Sequence, residues 1–277
     1  MAHTLVVTDS SAGLPASIGG RAALRIVPIR IALVDGEGLD GEIDPRRVWR
    51  ALSRGEAVKT RAPSVLEYLA AIEEPGYAEA VVITAAAAFT GMHEHALQAA
   101  ALSDRPTLVV DSRTAAAAQG LVVRVALDAA DAGASAPEVS ALASAAAART
   151  HLVATLPALT SLERSGRVPA DLLDTARRSG PSPMFGLADG ELVPLEPAAP
   201  DPIQAIADAW SASGATAADP ATVFHADAAI DARRLARLLG AHTPSVPLTL
   251  AMAVHTGPGV VGAAWLRSQE HPTQPSR

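Results

Sequence analysis

The chain has 277 residues, of which 49% are hydrophobic and only 3% aromatic, and its formal net charge is −7 at pH 7. This length can bury one large core or two ordinary ones. The acidic balance argues against nucleic acid as a partner, and the absence of cysteine excludes disulfides and thiolate chemistry. The sequence has no signal-peptide pattern and no apolar run of the ~18 residues that a membrane span needs. We therefore expect a cytoplasmic protein without stable membrane insertion.

In the first half of the chain, buried β-branched runs alternate with Ala-rich helical patterns. The strand patterns cover residues 4–10, 24–36, 80–85 and 107–112, and the helical patterns cover 64–74, 89–102, 114–133 and 140–150. Such alternation is typical of a parallel sheet covered on both faces. The sequence predicts an α/β fold whose first domain, residues 1–150, is Rossmann-like.

The second half has less regular spacing. Strands are expected at 151–156, 191–197, 222–227 and 247–254, and helices near 158–165, 170–178, 202–212 and 228–239. This pattern favours a C-terminal α+β domain, residues 151–277, with a partly antiparallel sheet and a disordered polar tail from about residue 268.

Three strands in the first half end in short segments of polar or small residues. These strand ends are Asp9-Ser10-Ser11, the segment from Ala85 to Ala88, and Asp111-Ser112. In an open parallel sheet, ligands bind beyond the carboxyl ends of the strands, so these segments predict a crevice. Ser and Asp at such junctions also simply cap the following helix, and both interpretations stay open.

A G-x-G-x-x-G pattern occurs near the end of the chain, at Gly257, Gly259 and Gly262. A dinucleotide-binding loop needs a helix and a second strand after the glycines, but only 15 residues follow Gly262. Pro258 also removes a backbone N–H group from the loop. We interpret the segment as a tight turn after a strand at 247–254, with His255 and Thr256 at its mouth. A lone His is more often structural, but the glycines allow close approach of a ligand, which favours a binding role.

Several motifs in order along the chain resemble one family. They are VTDSSAGLP (7–15), VPIRI (27–31), LDG (39–41), KTRAPS (59–64), ITAAAAFTGMHEHA (83–96), VVDSRTAAAAQGLVV (109–123), LTSLERSGRV (159–168), DGELVPL (189–195) and HTGPGVVG (255–262). The chain resembles the DegV-type lipid-binding proteins, which are the fatty-acid-binding subunits of bacterial fatty acid kinase.

The resemblance implies a noncatalytic carrier with no cofactor. A long-chain fatty acid would lie in an apolar tunnel between two domains, and its carboxylate would be presented to a separate kinase that forms acyl phosphate from ATP. By matching position, Thr60 and His255 would hydrogen-bond the carboxylate. Thr256 and Ser10 are expected in the same fatty-acid-binding group.

The sequence departs from the family pattern at residues that would bind the carboxylate head group of the fatty acid. The family's paired serines fall on Ala86 and Ala87, and loss of such a hydroxyl costs about 1–3 kcal/mol when the oxygen it served stays buried. Arg61, where the family has Ser, is hypothesised to compensate by gripping the carboxylate; the alternative is that Arg61 points into solvent. Gly13, Ala116 and Ala118 are further departures.

Positive charge is concentrated at Arg164, Arg167, Arg177 and Arg178. The resemblance implies that the S-G-R turn, which contains Arg167 and directly follows Arg164, is part of the surface that docks the kinase. The alternative is that these arginines lie on a solvated helix face.

A runner-up function is a small hydrolase or phosphotransferase that uses Asp9, Ser10 and His255, although no G-x-S-x-G elbow supports it. A third is a lipid-binding sensor without a kinase partner. No metal is expected, because His93 and His95 do not share a helix face.

Overall fold

The computed structural model describes residues 4–166, 168–195 and 199–268. In chain order the strands are β1 (Thr4–Asp9), β2 (Leu24–Val27), β3 (Arg30–Leu33), β4 (Gly36–Leu39), β5 (Lys59–Arg61), β6 (Glu79–Thr84), β7 (Thr107–Asp111), β8 (Thr150–Thr155), β9 (Met184–Ala188), β10 (Glu191–Leu195), β11 (Ala221–His225), β12 (Ser245–Pro247) and β13 (Val261–Leu266). The helices are α1 (Ala16–Gly19), α2 (Pro45–Ser53), α3 (Val65–Ile72), α4 (Met92–Leu102), α5 (Ala116–Asp131), α6 (Ala136–Ala147), α7 (Leu159–Ser165), α8 (Ala170–Ser179), α9 (Pro202–Ala212), α10 (Ala229–Leu239) and α11 (Leu250–Thr256).

The expected parallel sheet is confirmed in the order β2-β1-β6-β7. All three strand pairs are parallel, so the segments after Asp9, Thr84 and Asp111 lie at one edge of the sheet. Both faces of the sheet are covered. Apolar side chains from α3, α4 and α11 pack on one face, and those from α5 and α6 pack on the other.

The segment 24–36, expected as one strand region, forms two strands in different sheets. β2 belongs to the parallel sheet, whereas β3 is the centre of a small antiparallel sheet in the order β4-β3-β5. Pro28 lies between them, where it cannot donate to a sheet ladder. Strand β5, which has only three residues, is not evident in the sequence pattern, although it carries Thr60.

The second half forms a six-stranded sheet in the order β10-β9-β8-β13-β11-β12. Its pairs are antiparallel except for β11 and β12, which confirms the partly antiparallel arrangement. All six residues of β13 are buried between β8 and β11. The sequence pattern did not reveal this central strand, because its glycine and alanine residues have low strand propensity.

The strand expected at 247–254 is wrong for most of its length, because residues 250–256 form α11. The run from Leu250 to Val254 is apolar throughout, and a short buried run of this kind does not distinguish a helix from a strand by its periodicity. This helix has neighbours on two sides: Ala251 and Val254 pack with the parallel-sheet core, whereas Ala253 packs with the core of the six-stranded sheet.

Helix α5 lies between the two large sheets, and each of its residues from Ala116 to Val123 is buried. Its close approach to the β1–α1 loop depends on two glycines. A Cβ atom on Gly13 would lie 2.9 Å from Ala117 N, and one on Gly120 would lie 2.9 Å from Gly13 O. A residue with a side chain at position 13 would therefore push the loop away from the helix.

The domain boundary expected near residue 150 stays a prediction; it coincides with the start of β8. Residues 269–277, assigned above to the tail, lie outside the described residues. Within the described ranges, no helix is both long and apolar enough to cross a membrane.

Candidate functional site

An apolar cavity of about 140 Å³ lies between the parallel sheet and the six-stranded sheet. One wall consists of side chains from β8, β9, β10 and β11: Leu152, Ala154, Phe185, Leu187, Leu192 and Phe224. The opposite wall includes Ile29, Ala85, Met92, Ala115 and Ala116, and the sides are formed by α7 and α11. Apart from a few hydroxyl groups and one imidazole the wall is apolar, so it suits the apolar part of a ligand.

Thr60 and His255 form the polar part of the cavity wall. Thr60 Oγ1 lies 2.7 Å from His255 Nε2, although the two residues are 195 positions apart in the sequence. Both are half-buried, whereas most of the apolar wall residues are buried. His255 is the one ionisable side chain on the wall within the described ranges. Thr90 and Thr256 line the same cavity, and their hydroxyl groups are of a type that can hydrogen-bond a small polar head group.

Successive side chains of β5 point to opposite faces of the strand, and this alternation sets the position of Arg61. Thr60 and Ala62 line the cavity, so Arg61 between them points to the other face of the strand. Its side chain is 69% exposed and its guanidinium lies 3.9 Å from Glu37. The structure therefore does not bring Arg61 to the head-group region, and the hypothesis that it grips a carboxylate lacks the required geometry.

Ala86 and Ala87 are also absent from the cavity wall, where their segment contributes Ala85, Phe89 and Thr90 instead. The Ala86 N–H group donates to Thr114 O at 2.8 Å, and Ala87 N–H donates to the carboxylate of Asp111 at 3.3 Å. Thr90 is a cavity residue that was not among the expected site residues. A signal was available: Thr90 is a hydroxyl residue directly before Gly91, which precedes the first residue of α4.

Ser10 lies away from the apolar cavity. Its hydroxyl group donates to Asp40 Oδ2 at 2.7 Å and accepts from Ile29 N at 3.0 Å. Both Ser10 and Asp40 line a second cavity on the far side of α11. Burial raises the pKa of Asp40, and the hydrogen bond from Ser10 opposes this shift. Asp40 was not predicted as a site residue.

Asp9, proposed above as a catalytic group in the runner-up function, is fully buried beneath the cavity wall. Its carboxyl group accepts from Ser11 N at 2.9 Å and from Gln119 Nε2 at 3.1 Å, and it also contacts the Ser11 hydroxyl. Burial raises the pKa of Asp9, and these hydrogen bonds lower it in part. Ser11, not Ser10, is the residue of this segment that reaches the cavity.

The three glycines of the G-x-G-x-x-G pattern serve backbone geometry and packing. Gly257 ends α11 with φ +77°, and Gly259 has φ +86° in the turn that follows. Gly262 lies on β13, where a Cβ atom would overlap the Phe224 ring and lie 2.8 Å from Ala154 Cβ. Since Phe224 and Ala154 both line the cavity, Gly262 makes room for the Phe224 ring beneath it.

Of the two expected docking residues, Arg164 is exposed on α7, whose Leu162 and Ser165 line the cavity. Arg167 lies outside the described residues. Arg177 is paired with Glu163 at 2.7 Å and with Asp174 at 2.8 Å, so much of its charge is compensated.

Comparison with known proteins adds independent findings. The model of the DegV family, described as uncharacterised proteins, matches residues 3–268. A DegV domain-containing protein of Streptomyces coelicolor is 29% identical, and the match covers 94% of this chain and 97% of the relative. The structure of a fatty-acid-binding DegV family protein from Thermus thermophilus has a TM-score of 0.86 and 22% identity, covering 96% of this chain and 100% of that one. The structure of a DegV family protein from Eubacterium eligens, loaded with heptadecanoic acid, has a TM-score of 0.81 and 18% identity. The match covers 96% of this chain and 100% of that one.

Proposed function

Since the chain belongs to the DegV family, we propose that it binds a long-chain fatty acid, with the acyl chain in the apolar cavity and the carboxylate at Thr60 and His255. One observation carries the proposal. An almost wholly apolar cavity has a half-buried Thr–His hydrogen bond of 2.7 Å on its wall. This combination suits a ligand with a long apolar body and one small hydrogen-bonding end.

The acyl chain supplies most of the binding energy. Burial of the ~14 methylenes of a palmitoyl-length chain gains about 11 kcal/mol before entropy is subtracted, at ~0.8 kcal/mol for each methylene. Each hydrogen bond to a charged carboxylate adds about 1.5–3 kcal/mol. The chain therefore provides affinity, and the polar groups fix where the carboxylate lies.

The partner proposed for this carrier is a fatty acid kinase. A carboxylate at the half-exposed pair of Thr60 and His255 remains accessible to a second protein, which would transfer the γ-phosphoryl group of ATP to one of its oxygens. Arg164 on α7 supports docking close to the cavity, because neighbouring residues of the same helix line it. Arg167 is proposed as a second docking residue from its position in the motif.

The hydrolase or phosphotransferase alternative lacks an assembled catalytic group. Ser10 is hydrogen-bonded to Asp40, Asp9 to Ser11, and His255 to Thr60. Ser10 and His255 line different cavities, so His255 is not placed as a general base for that serine. A lipid sensor without a kinase would use the same cavity and is distinguished only by a phosphorylation assay.

The test is native mass spectrometry of the purified protein, followed by denaturation and identification of any released small molecule. We expect a fatty acid at near-stoichiometric occupancy, or its uptake when palmitate or oleate is added to the delipidated protein. A protein that is empty and takes up neither fatty acid would contradict the proposal. Acyl phosphate formation with ATP and a purified bacterial fatty acid kinase subunit then separates the carrier from the sensor.

A further inference from the structure

A second cavity, of about 470 Å³, lies on the side of α11 that faces away from the apolar cavity. Its walls come from the end of β1, the segment between β4 and α2, the turn after β11, and the segment from β12 into α11. Strands β11 and β12 are parallel, so their carboxyl ends open on the same side. A crevice beyond the carboxyl ends of parallel strands is a common ligand site in α/β proteins, and volumes of about 300–1,000 Å³ are typical of such sites.

The wall of this second cavity is polar and acidic, unlike that of the first. It combines the carboxylates of Asp40 and Asp227 with the imidazole of His225 and the indole of Trp49, and the described residues that line it include no Lys or Arg. Neither carboxylate forms an ion pair within the described ranges. A carboxylate without a basic neighbour is costly to bury, and a positively charged ligand would offset that cost.

Asp40 is the more buried of the two carboxylates, with only 9% of the residue exposed. Its backbone N–H donates to Ile29 O at 2.8 Å, which fixes the residue directly after β4. Oδ2 accepts from Ser10 Oγ at 2.7 Å, whereas Oδ1 has no hydrogen-bond partner in the part of the chain that the structure describes. Asp40 is therefore a fixed acceptor on the cavity wall with one oxygen available to a donor.

A hydroxyl group in the same wall also lacks a partner. Thr249 Oγ1 is buried and has no hydrogen-bond partner among the described residues. A buried polar atom in this state is unfavourable unless a ligand group or a water molecule pairs with it. This second observation points to a polar occupant of the cavity.

His225 adds no positive charge to the wall. Its Nδ1 accepts a hydrogen bond from Ala228 N at 3.4 Å, so this nitrogen carries no proton and the ring is neutral. Burial and the charge of Arg233 lower the pKa of His225, which also favours the neutral ring, whereas Asp227 raises it. Trp49 adds an aromatic ring, and both an ammonium group and an alkyl chain pack favourably on indole.

The arrangement does not suit a metal ion. Among the residues that the structure describes, no three Asp, Glu or His side chains are close enough together to hold one. An organic cation has no such requirement, because its N–H groups can reach acceptors that lie several ångströms apart.

We propose that the second cavity binds a small aliphatic amine, with one ammonium group on Asp40 and the alkyl chain against Trp49. Asp227, which is exposed at the rim, attracts the amine and pairs with a second ammonium group where the ligand has one. The site does not depend on fatty-acid binding, since it lies on the other side of α11.

The first experiment titrates the full-length protein with putrescine, a four-carbon diamine, and follows the indole N–H signal of Trp49 by NMR. Trp49→Phe identifies this signal. We expect a saturable shift with putrescine and no shift with 1,4-butanediol, which has the same carbon chain but no charge. No saturable shift at millimolar putrescine would overturn the proposal, and so would equal binding of the diol.

The second experiment measures putrescine affinity of charge variants by isothermal titration. Asp40→Asn should weaken binding roughly tenfold or more, because a charge-assisted hydrogen bond in a buried position is lost. Asp227→Asn should weaken it roughly twofold to fivefold, because an exposed ion pair contributes less. The matched control is Asp35→Asn, whose exposed carboxylate pairs with Arg47 at 3.0 Å outside the cavity, and it should bind as the wild type does.

Equal affinities in Asp40→Asn and Asp35→Asn would overturn the proposal, because the diamine would then associate with the acidic surface as a whole. Asp227 is exposed, so Asp227→Asn is expected to fold even where Asp40→Asn does not. In that case, equal affinities in Asp227→Asn and Asp35→Asn would overturn it.

Discussion

The hydrogen bond between Thr60 Oγ1 and His255 Nε2 joins a three-residue strand near the start of the chain to the last turn of a helix near its end. Because β5 belongs to the small antiparallel sheet and α11 lies against both halves, this contact forms only in the complete fold. It has consequences for binding and for stability.

Replacing Thr60 by Val removes one hydroxyl from the proposed head-group site and leaves the shape of the side chain. We expect fatty-acid affinity to fall by about 1–3 kcal/mol, since a carboxylate oxygen loses a hydrogen bond while it stays partly buried. Isothermal titration with palmitate measures the change. Arg61→Ala is the matched control, because its side chain is 69% exposed on the opposite face of the same strand, and it should bind as the wild type does. Equal losses in both variants would contradict this assignment.

Replacing Leu192 by Trp should shorten the space for an acyl chain. Leu192 lies on β10 with its side chain on the cavity wall, so a larger side chain there occupies volume that the ligand needs. Affinity for an 18-carbon acid should fall more than affinity for a 12-carbon acid, because more methylenes are left outside. Val193→Trp, on the other face of the strand, is the control and should not change the ratio of the two affinities.

Replacing Gly257 by Ala should destabilise the protein by about 1–2 kcal/mol or more. Gly257 has φ +77°, and a Cβ atom there would lie 2.6 Å from Ala158 Cβ and 2.7 Å from Ser161 Oγ. Chemical denaturation compares it with Gly55→Ala, where φ is +72° but no atom lies within 4 Å. Both variants add a Cβ atom at a positive φ, so the difference between their losses in free energy of unfolding measures the effect of crowding at Gly257. Equal losses would show that crowding has no effect.

The buried carboxyl group of Asp9 predicts a specific pH dependence. Burial raises its folded-state pKa above the ordinary value of 3.8, so the folded protein holds this proton more tightly than the unfolded chain does. Its contribution to stability is therefore fully present below pH 3.8 and is lost as the pH rises through the folded-state pKa. The free energy of unfolding of Asp9→Asn, relative to the wild type, should accordingly rise with pH over this window. A difference that is constant with pH would show that Asp9 titrates normally.

Charge reversal at Arg164 tests the proposed docking surface. Arg164→Glu should slow acyl phosphate formation by the kinase subunit while palmitate affinity stays unchanged, because the side chain is exposed outside the cavity. Arg237→Glu is a suitable control, since it makes the same charge change in the last turn of α10. Equal rates for the two variants would count against docking at α7.

The sequence by itself determined the parallel sheet and the edge at which its strands end. Runs such as TLVVTD and AVVIT are buried on both faces and end in small or polar residues. This pattern is local, so it is visible in the sequence without knowledge of the tertiary structure. The motif order also pointed to Thr60 and His255, because they occupy matching positions in two motifs of the family that the sequence resembles, KTRAPS (59–64) and HTGPGVVG (255–262). The rejection of a dinucleotide loop likewise needed only Pro258 and the 15 residues after Gly262.

The tertiary structure decided what depends on distant neighbours. Leu250 to Val254 is apolar on every side because it is buried from two directions, so only packing distinguishes its helix from a strand. Ser10 turns to Asp40 and Arg61 to solvent, although both lie beside residues of the cavity wall. Gly262 is required by the Phe224 ring of a neighbouring strand. A local pattern specifies which residues are buried or polar, but the partner of each polar side chain is set by segments that meet only when the whole chain has folded.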